Sequence, residues 1–390
     1  MKILFIRWNG IGHEDMEDAF KSLGHEVIKY HFPDDVTKEG ETKKDLEEIL
    51  NEGFDCAFSF NYFPVVAEAC HEKDIPYISW TYDSPYVRLY HCSIAYPTNY
   101  VFVFDSAVFE EFYNGGLNNV YYLPMAANTA RLKAMTDFKS FEKTKLFNQN
   151  HVSFVGSLYT EKHNFYDRLT GISDYTRGFL EGLIDAQRKV YGDNFIQRIL
   201  RDNPDVIKEM KESYDMGRSS DGIETDEYLY AQYIINRKIT SVERTEMLKK
   251  VSEQYGLDLY TYDTNVKFKG CVNHGPVDYY DYAPYVFKKS KINLNISLRS
   301  IINGVPYRCF EIMGAGGFLL SNYQQDFLNH FTPDEDFVYF DSEADLLDKI
   351  DYYLKNENER AEIAQNGFKK IEFEHTFVKR AEEMLSYISG

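Results

Sequence analysis

The sequence predicts an α/β protein built on two doubly wound, Rossmann-like parallel sheets, and three observations carry that prediction. Short apolar runs alternate with amphipathic stretches of about ten residues through the first third of the chain, the pattern of strands joined by crossover helices. The pattern restarts at Val152 with an apolar run, a Gly turn and a polar loop. Further on, the segment RCFEIMGAGGFLLS, 308–321, packs a helix start, a Gly-rich stop and a buried strand into one corner. A chain of 390 residues is long enough for two such domains, each with its own core.

In the first half, residues 2–7 read as a buried strand and 14–23 as a helix stopped by Gly24. A strand at 25–32, a helix at 43–51, a strand at 56–60, a helix at 65–73 and strands at 77–81 and 100–104 follow. The first turn, WNGIGHED, has Gly10 and Gly12, but Asp15 stands where a dinucleotide fingerprint needs its third Gly, so a close-approach loop is expected rather than a nicotinamide site. The stretch YISWTYDSPY puts Tyr82 and Asp83 at the end of a buried strand, where the ligand-facing groups of such sheets gather. Asp83 is the first candidate for a general base, because a carboxylate in an aromatic, partly dry site has its pKa raised toward neutrality. Its plainer role is an Asx turn before Ser84-Pro85. His13, in the first Gly loop, is the second candidate base.

In the second half, 167–255 is charged and helical in several pieces, at 177–191, 194–202, 206–214, 224–236 and 241–255, which reads as a helical insertion. Three uses are open to its polar break, MGRSSDGIETD: covering a cleft, holding an acceptor, or making a homodimer contact. Strands are expected at 257–262 and 266–268, then a loop GCVNHG, a helix at 279–289 and a strand at 292–296 that leads into the loop RSIINGVPY. Pro306 fits a first helical turn, and Gly314, Gly316 and Gly317 stop that helix before the apolar run 318–320. Free N–H groups at a helix start attract phosphate. An acid as near to that start as Glu311 would repel phosphates unless turned toward a neutral diol, so a ribose is its natural partner. A strand at 337–340 and helices at 343–355, 358–367 and 375–388 complete the chain.

These motifs bear a resemblance. FEIMGAGGFLLS resembles the nucleotide-sugar corner of GT-B glycosyltransferases, where a Glu-x7-Glu motif runs into a helix ending in Ala/Gly-Gly. Glu311 matches the second Glu, which in that family holds the ribose hydroxyls, and Asn303 stands in place of the first, which contacts the donor sugar. The variant Arg-x-Phe-Glu-x-Met-x-x-Gly-Gly is similar to the CgeB-like branch of the group 1 enzymes, and Trp-x-x-Asp-Ser-Pro together with FVGSLYTEKHNF resembles a DUF3880-type N-terminal domain. Matched to the family's Val-Gly-Arg-Leu-x-x-Glu-Lys-Gly corner, Gly156 is the turn Gly and Lys162 the diphosphate lysine, while Ser157 stands where an Arg is common. The missing cation would be borrowed from Arg299 or Arg308. After Gly270, the resemblance puts Cys271 and Val272 in a loop whose backbone holds the base.

The resemblance implies a GT-B fold of two Rossmann-like domains facing a cleft: 1–150 on the acceptor side, 151–374 for the nucleotide sugar with the insertion at 167–255, and 375–390 as a helix crossing back. It implies transfer of a sugar from a nucleoside-diphosphate donor, first of all a UDP-sugar, to a hydroxyl of a protein, peptide or glycan, with no cofactor or metal required. Arg308, Lys162 and the loop amides from Asn303 through Gly304 to Tyr307 would surround the diphosphate, Asn303 and Arg299 the donor sugar, and Asp83 the acceptor. Two rival readings are a non-catalytic binder of the same fold and a nucleotide-sugar epimerase, which would need more carboxylates around the sugar ring. A net charge of −19 argues against nucleic acid, and scattered, unpaired cysteines fit a reduced cytoplasm without a zinc site. No run approaches the length of a membrane span. Decoration of a bacterial surface is the setting the resemblance implies.

Overall fold

The computed structural model describes residues 1–33, 39–135, 150–160, 164–219 and 221–388. The chain divides into two compact units. One comprises Met1–Ala126, Arg218–Glu224 and Glu374–Gly390, and the other Ala127–Gly217 and Thr225–Phe373. Among the described residues each holds a six-stranded sheet whose strands all pair in parallel.

In the first unit the strands are β1 (Lys2–Arg7), β2 (Glu26–His31), β3 (Cys56–Phe60), β4 (Tyr77–Thr81), β5 (Asn99–Val103) and β6 (Val120–Tyr122), in the order β2-β1-β3-β4-β5-β6. β3 and β4 are buried at every residue because helices cover both faces of a parallel sheet, and that is why they read as unbroken apolar runs. The strand order reverses between β1 and β3, so the loops after these strands diverge and leave room for a ligand. The last helix, Phe377–Ser386, packs on this sheet: Phe377 meets the rings of Trp80 and Phe60, and Arg380 donates to the Pro124 carbonyl at 2.8 Å. The helix Ser106–Asn114, capped by the Asp105 side chain on Ala107 N, and the short β6 are additions to the elements expected from sequence.

In the second unit the strands are β7 (Val152–Val155), β8 (Leu257–Tyr260), β9 (Cys271–Asn273), β10 (Ile292–Asn295), β11 (Leu319–Asn322) and β12 (Val338–Phe340), in the order β12-β11-β10-β7-β8-β9. Here the order reverses between β7 and β10. The expected strand at 266–268 is irregular backbone following a turn at 264–265, and the expected loop at Cys271 and Val272 is β9. The Asn273 side chain donates to the Asp263 and Val266 carbonyls, at 2.9 and 3.2 Å, tying the turn at 264–265 to β9, while Val266 and Phe268 pack against the core without joining the sheet. The insertion folds as helices around a core of its own that includes Leu180, Ile196, Leu200, Met210 and Ile234. The helix expected at 224–236 is two pieces, Asp226–Leu229 and a π-helical Tyr230–Ile235, running into the long helix Asn236–Tyr255. No helix among the described residues is long and apolar enough to cross a membrane.

Candidate functional site

The reversal point of the second sheet brings together the turn after β7 and the loop after β10, and one buried arginine ties them. Arg244, on the helix Asn236–Tyr255, donates from Nη1 to the Ser157 carbonyl at 2.5 Å and from Nε to the Ile296 carbonyl at 2.9 Å. Its guanidinium lies over the rings of Phe154 and Tyr159. Arg308, in the first turn of the helix Tyr307–Gly314, is half-buried against the Phe287 ring and has no hydrogen bond or ion pair among the described residues. The two cations are close enough to repel: burial, and then the positive charge of Arg308, lower the Arg244 pKa. The neighbouring acid, Glu243, is engaged by Arg299. Two positive charges thus meet at the strand ends, and among the described residues neither has a carboxylate within ion-pair distance, although the Glu243 charge partly offsets the lowering at Arg244.

Glu311 lies one turn further along the Tyr307–Gly314 helix and is 2% exposed. The loop before that helix is fixed from β11's side: Gln324 Nε2 donates to the Ile301 and Gly304 carbonyls, each at 3.2 Å, and Asp326 N donates to the Asn303 carbonyl at 3.0 Å. Asn303 is half-buried, and Tyr307 stacks on Tyr279 with their hydroxyls hydrogen-bonded. Gly156 follows β7 with its Cα against the Phe154 ring, where an added Cβ would sit 3.3 Å from the ring.

Three of the expected contacts are placed differently. Arg299 turns into the insertion, where its Nε donates to Glu243 at 2.8 Å, its Nη1 to the Val190 carbonyl at 2.8 Å, and its guanidinium stacks on Tyr191 at 4.1 Å. It is 8% exposed and its donors are used, so it rivets the loop to the insertion instead of facing a sugar. Cys271 and Val272 run in register with Leu257 and Asp258 of β8, on the sheet edge, and not in a loop. Beside them His274 stacks on Tyr260 and bonds Asp258 through Nε2 at 2.7 Å. Lys162 lies outside the described residues.

In the first unit, Asn61 organises the loop after β4. It sits in the left-handed region (φ 59°), accepts from Tyr82 N and Asp83 N at 3.1 and 3.3 Å, and donates to Asp83 Oδ2 at 2.7 Å. Asp83 keeps a solvent-exposed face although protein atoms crowd its carboxyl; the crowding raises its pKa and the Asn61 bond only partly opposes this. Tyr82 accepts from Ile11 N at 3.1 Å and stacks on Trp8, joining this loop to the first Gly loop. Gly10 is required there, since a Cβ would lie 2.7 Å from the Tyr82 hydroxyl. His13 is walled in by the rings of Phe5, Trp8 and Phe60 and is 1% exposed, with neither ring nitrogen hydrogen-bonded. Burial first, then Arg7, lowers its pKa to about 4, so it is neutral at pH 7 but shut away from a substrate.

The residue that sequence reasoning missed is Arg244. Its partners, Ser157 and Ile296, are distant in sequence and bind through their carbonyls, so no side-chain pattern announces them.

Residues 241–386, which include Arg244, Arg308 and Glu311, match the family model described as Glycosyl transferase-like. No curated protein matches the sequence. Similar solved structures include HepE of Anabaena in complex with UDP-glucose (TM-score 0.55, 10% identity, covering 100% of this chain and 99% of that one). Sucrose-phosphate synthase from Thermosynechococcus elongatus is also similar (0.52, 11% identity, 100% and 99%), as is a glycosyltransferase from Rickettsia africae ESF-5 (0.51, 10% identity, 99% and 98%). At such identities the likeness is one of fold. The chain has the two-domain α/β GT-B fold, with a helical insertion in the second domain.

Proposed function

We propose that the protein transfers a sugar from a nucleoside-diphosphate sugar, a UDP-sugar first of all, to a hydroxyl of a protein, peptide or glycan acceptor. The observation that carries this reading is the pair Arg244 and Arg308, two cations at the reversal point of a doubly wound sheet that form no ion pair among the described residues. Two like charges held together in a half-buried corner are costly unless an anion joins them, and a diphosphate brings two. The family-model match over this corner and the UDP-glucose held by HepE support the choice of ligand.

The chemistry needs little more than a fixed field. The bond that breaks joins the anomeric carbon to the β-phosphate oxygen, and charge accumulates on the departing diphosphate. Positive groups already in place stabilise that charge without reorganising. Arg308 supplies a free fork of N–H donors, Arg244 a buried charge behind it, and the helix Tyr307–Gly314 its N-terminal end. Glu311 takes the ribose hydroxyls, and Asn303 stands by the sugar. This arrangement fits the CgeB-like departure from the two-Glu motif.

Titration calorimetry with UDP tests the reading. Arg308→Ala should raise the UDP dissociation constant by about 10- to 100-fold, the worth of a hydrogen bond to a charged group. An unchanged affinity would remove the diphosphate from this corner.

Asp83 is the acceptor-side base in this reading. Its pKa is raised, so turnover should climb with pH through a value above the ordinary carboxylate range of about 4. Asp83→Asn should lower turnover by roughly 100-fold or more. A wild-type rate that stays flat from about pH 4 to 8 would rule Asp83 out as the base.

A further inference from the structure

The first unit contains a cavity of about 410 Å³ at the carboxyl ends of its strands. One wall is the start of the helix after β3, at Pro64 and Val65, and the 3-10 turn after β4, at Val87 and Arg88. The opposite wall comes from within the insertion. The segment Arg218–Glu224 belongs to the first unit, and Gly222 forms an antiparallel bridge with His91. Ile223 N donates to the Tyr90 carbonyl at 2.7 Å and Cys92 N to the Asp221 carbonyl at 3.1 Å.

This wall carries a buried acid with an unmet need. Glu224 lines the cavity and is 4% exposed. Its Oε1 accepts from Ser219 N at 3.1 Å, while its Oε2 has no hydrogen-bond partner among the described residues. Gly222 makes the position possible, because a Cβ there would fall 1.9 Å from Oε2. A buried oxygen without a donor is costly, and Lys43, also in the lining, is held by Glu72 at 2.7 Å and Glu68 at 3.6 Å.

A ligand hydroxyl in the cavity would supply that donor. Glu68, Asp221 and Glu224 outnumber Lys43 and Arg88 in the lining, which disfavours an anion. Pro64, Val65 and Val87 add an apolar side to the lining that the Arg218–Glu224 wall lacks. An apolar side together with planar acceptors suits a sugar ring, which presents a C–H face and hydroxyl edges. The volume falls within the roughly 300–1,000 Å³ of small-molecule sites.

We propose that this cavity binds a neutral sugar unit of the acceptor, with Glu224 accepting from its hydroxyls and the segment Arg218–Glu224 setting which sugar is taken. The acceptor role rests on the transfer reading above; the sugar site itself does not.

The test is an array of neutral, amino and acidic glycans probed with the fluorescently labelled full chain, followed by calorimetry with the strongest neutral oligosaccharide. Wild type, Glu224→Gln and Gly222→Ala are compared, each first shown to unfold cooperatively. Neutral glycans should bind wild type, and both variants should weaken that binding about tenfold or more, Gly222→Ala because its methyl displaces the carboxylate. No neutral-glycan binding, binding confined to acidic glycans, or binding that survives both variants overturns the proposal. UDP is titrated into the same wild-type sample. UDP binding without glycan binding sinks this site and leaves the donor reading standing; glycan binding without UDP binding does the reverse.

Discussion

Glu311→Ala is expected to erase the thermal stabilisation that UDP gives the wild-type protein. At about 100 times its dissociation constant a ligand stabilises by roughly 2.7 kcal/mol, a shift of a few degrees. Glu311 is buried on the helix whose N-terminal end and Arg308 would hold the phosphates, and a carboxylate there repels phosphate. A ribose offers it two O–H donors instead, together worth about 3 kcal/mol as hydrogen bonds to a charged group, or roughly 100-fold in affinity. Glu311→Gln keeps the shape and one acceptor and should lose about tenfold. Sugar-modified ligands sharpen the test. 2′-deoxy-UDP should bind wild type less tightly than UDP, and that difference should shrink in Glu311→Ala, because the two changes remove the same contact. Equal affinity of wild type for UDP and 2′-deoxy-UDP would sink the ribose role.

The fold was legible where burial decides the matter alone. Lys2–Arg7, Cys56–Phe60 and Tyr77–Thr81 are strands with the bounds their apolar runs suggest, since a strand covered on both faces has no reason to alternate. It was less legible where two short apolar runs compete. Val266 and Phe268 pack against the core from irregular backbone, while the less apolar Cys271–Asn273 takes the sheet edge, with the Asn273 side chain holding the turn at 264–265. The boundary of the units was hidden for a similar reason. The segment Arg218–Glu224 joins the first unit through main-chain hydrogen bonds at Tyr90 and Cys92, which any sequence could make.

The candidate site shows the same division. Glu311 and Arg308 could be found because both belong to one local motif, a loop running into a helix and a Gly stop. Arg244 and the true surroundings of Arg299 could not, because each depends on contacts spanning more than fifty positions of the chain. The helix Asn236–Tyr255 is polar in sequence yet buries Asn236, Thr240, Glu243, Arg244 and Ser252. Its polar side chains bind the reversal-point loops, so amphipathic periodicity says nothing about which of them face inward.

That helix supplies the second large effect. Arg299→Ala is expected to destabilise the second unit by roughly 3–5 kcal/mol, because it leaves Glu243, 1% exposed, as a buried charge without its partner. The Val190 carbonyl and the Tyr191 ring would also lose the guanidinium. Arg299→Lys keeps the charge but not the planar fork that reaches Nε and Nη contacts together, so it should recover only part of the loss. Replacing both partners, Arg299→Met with Glu243→Gln, should recover more, since neither member of the pair is left as a buried charge without its partner. Urea denaturation followed by hydrogen exchange, to assign the transition to one unit, measures all three. If Arg299→Ala unfolds at the wild-type midpoint while the KM for the UDP-sugar rises, the guanidinium faces the donor. If stability falls as expected and the folded fraction binds UDP with wild-type affinity, Arg299 acts by holding the loop between β10 and the Tyr307–Gly314 helix against the insertion, and the charge that meets the diphosphate is carried by Arg244 and Arg308.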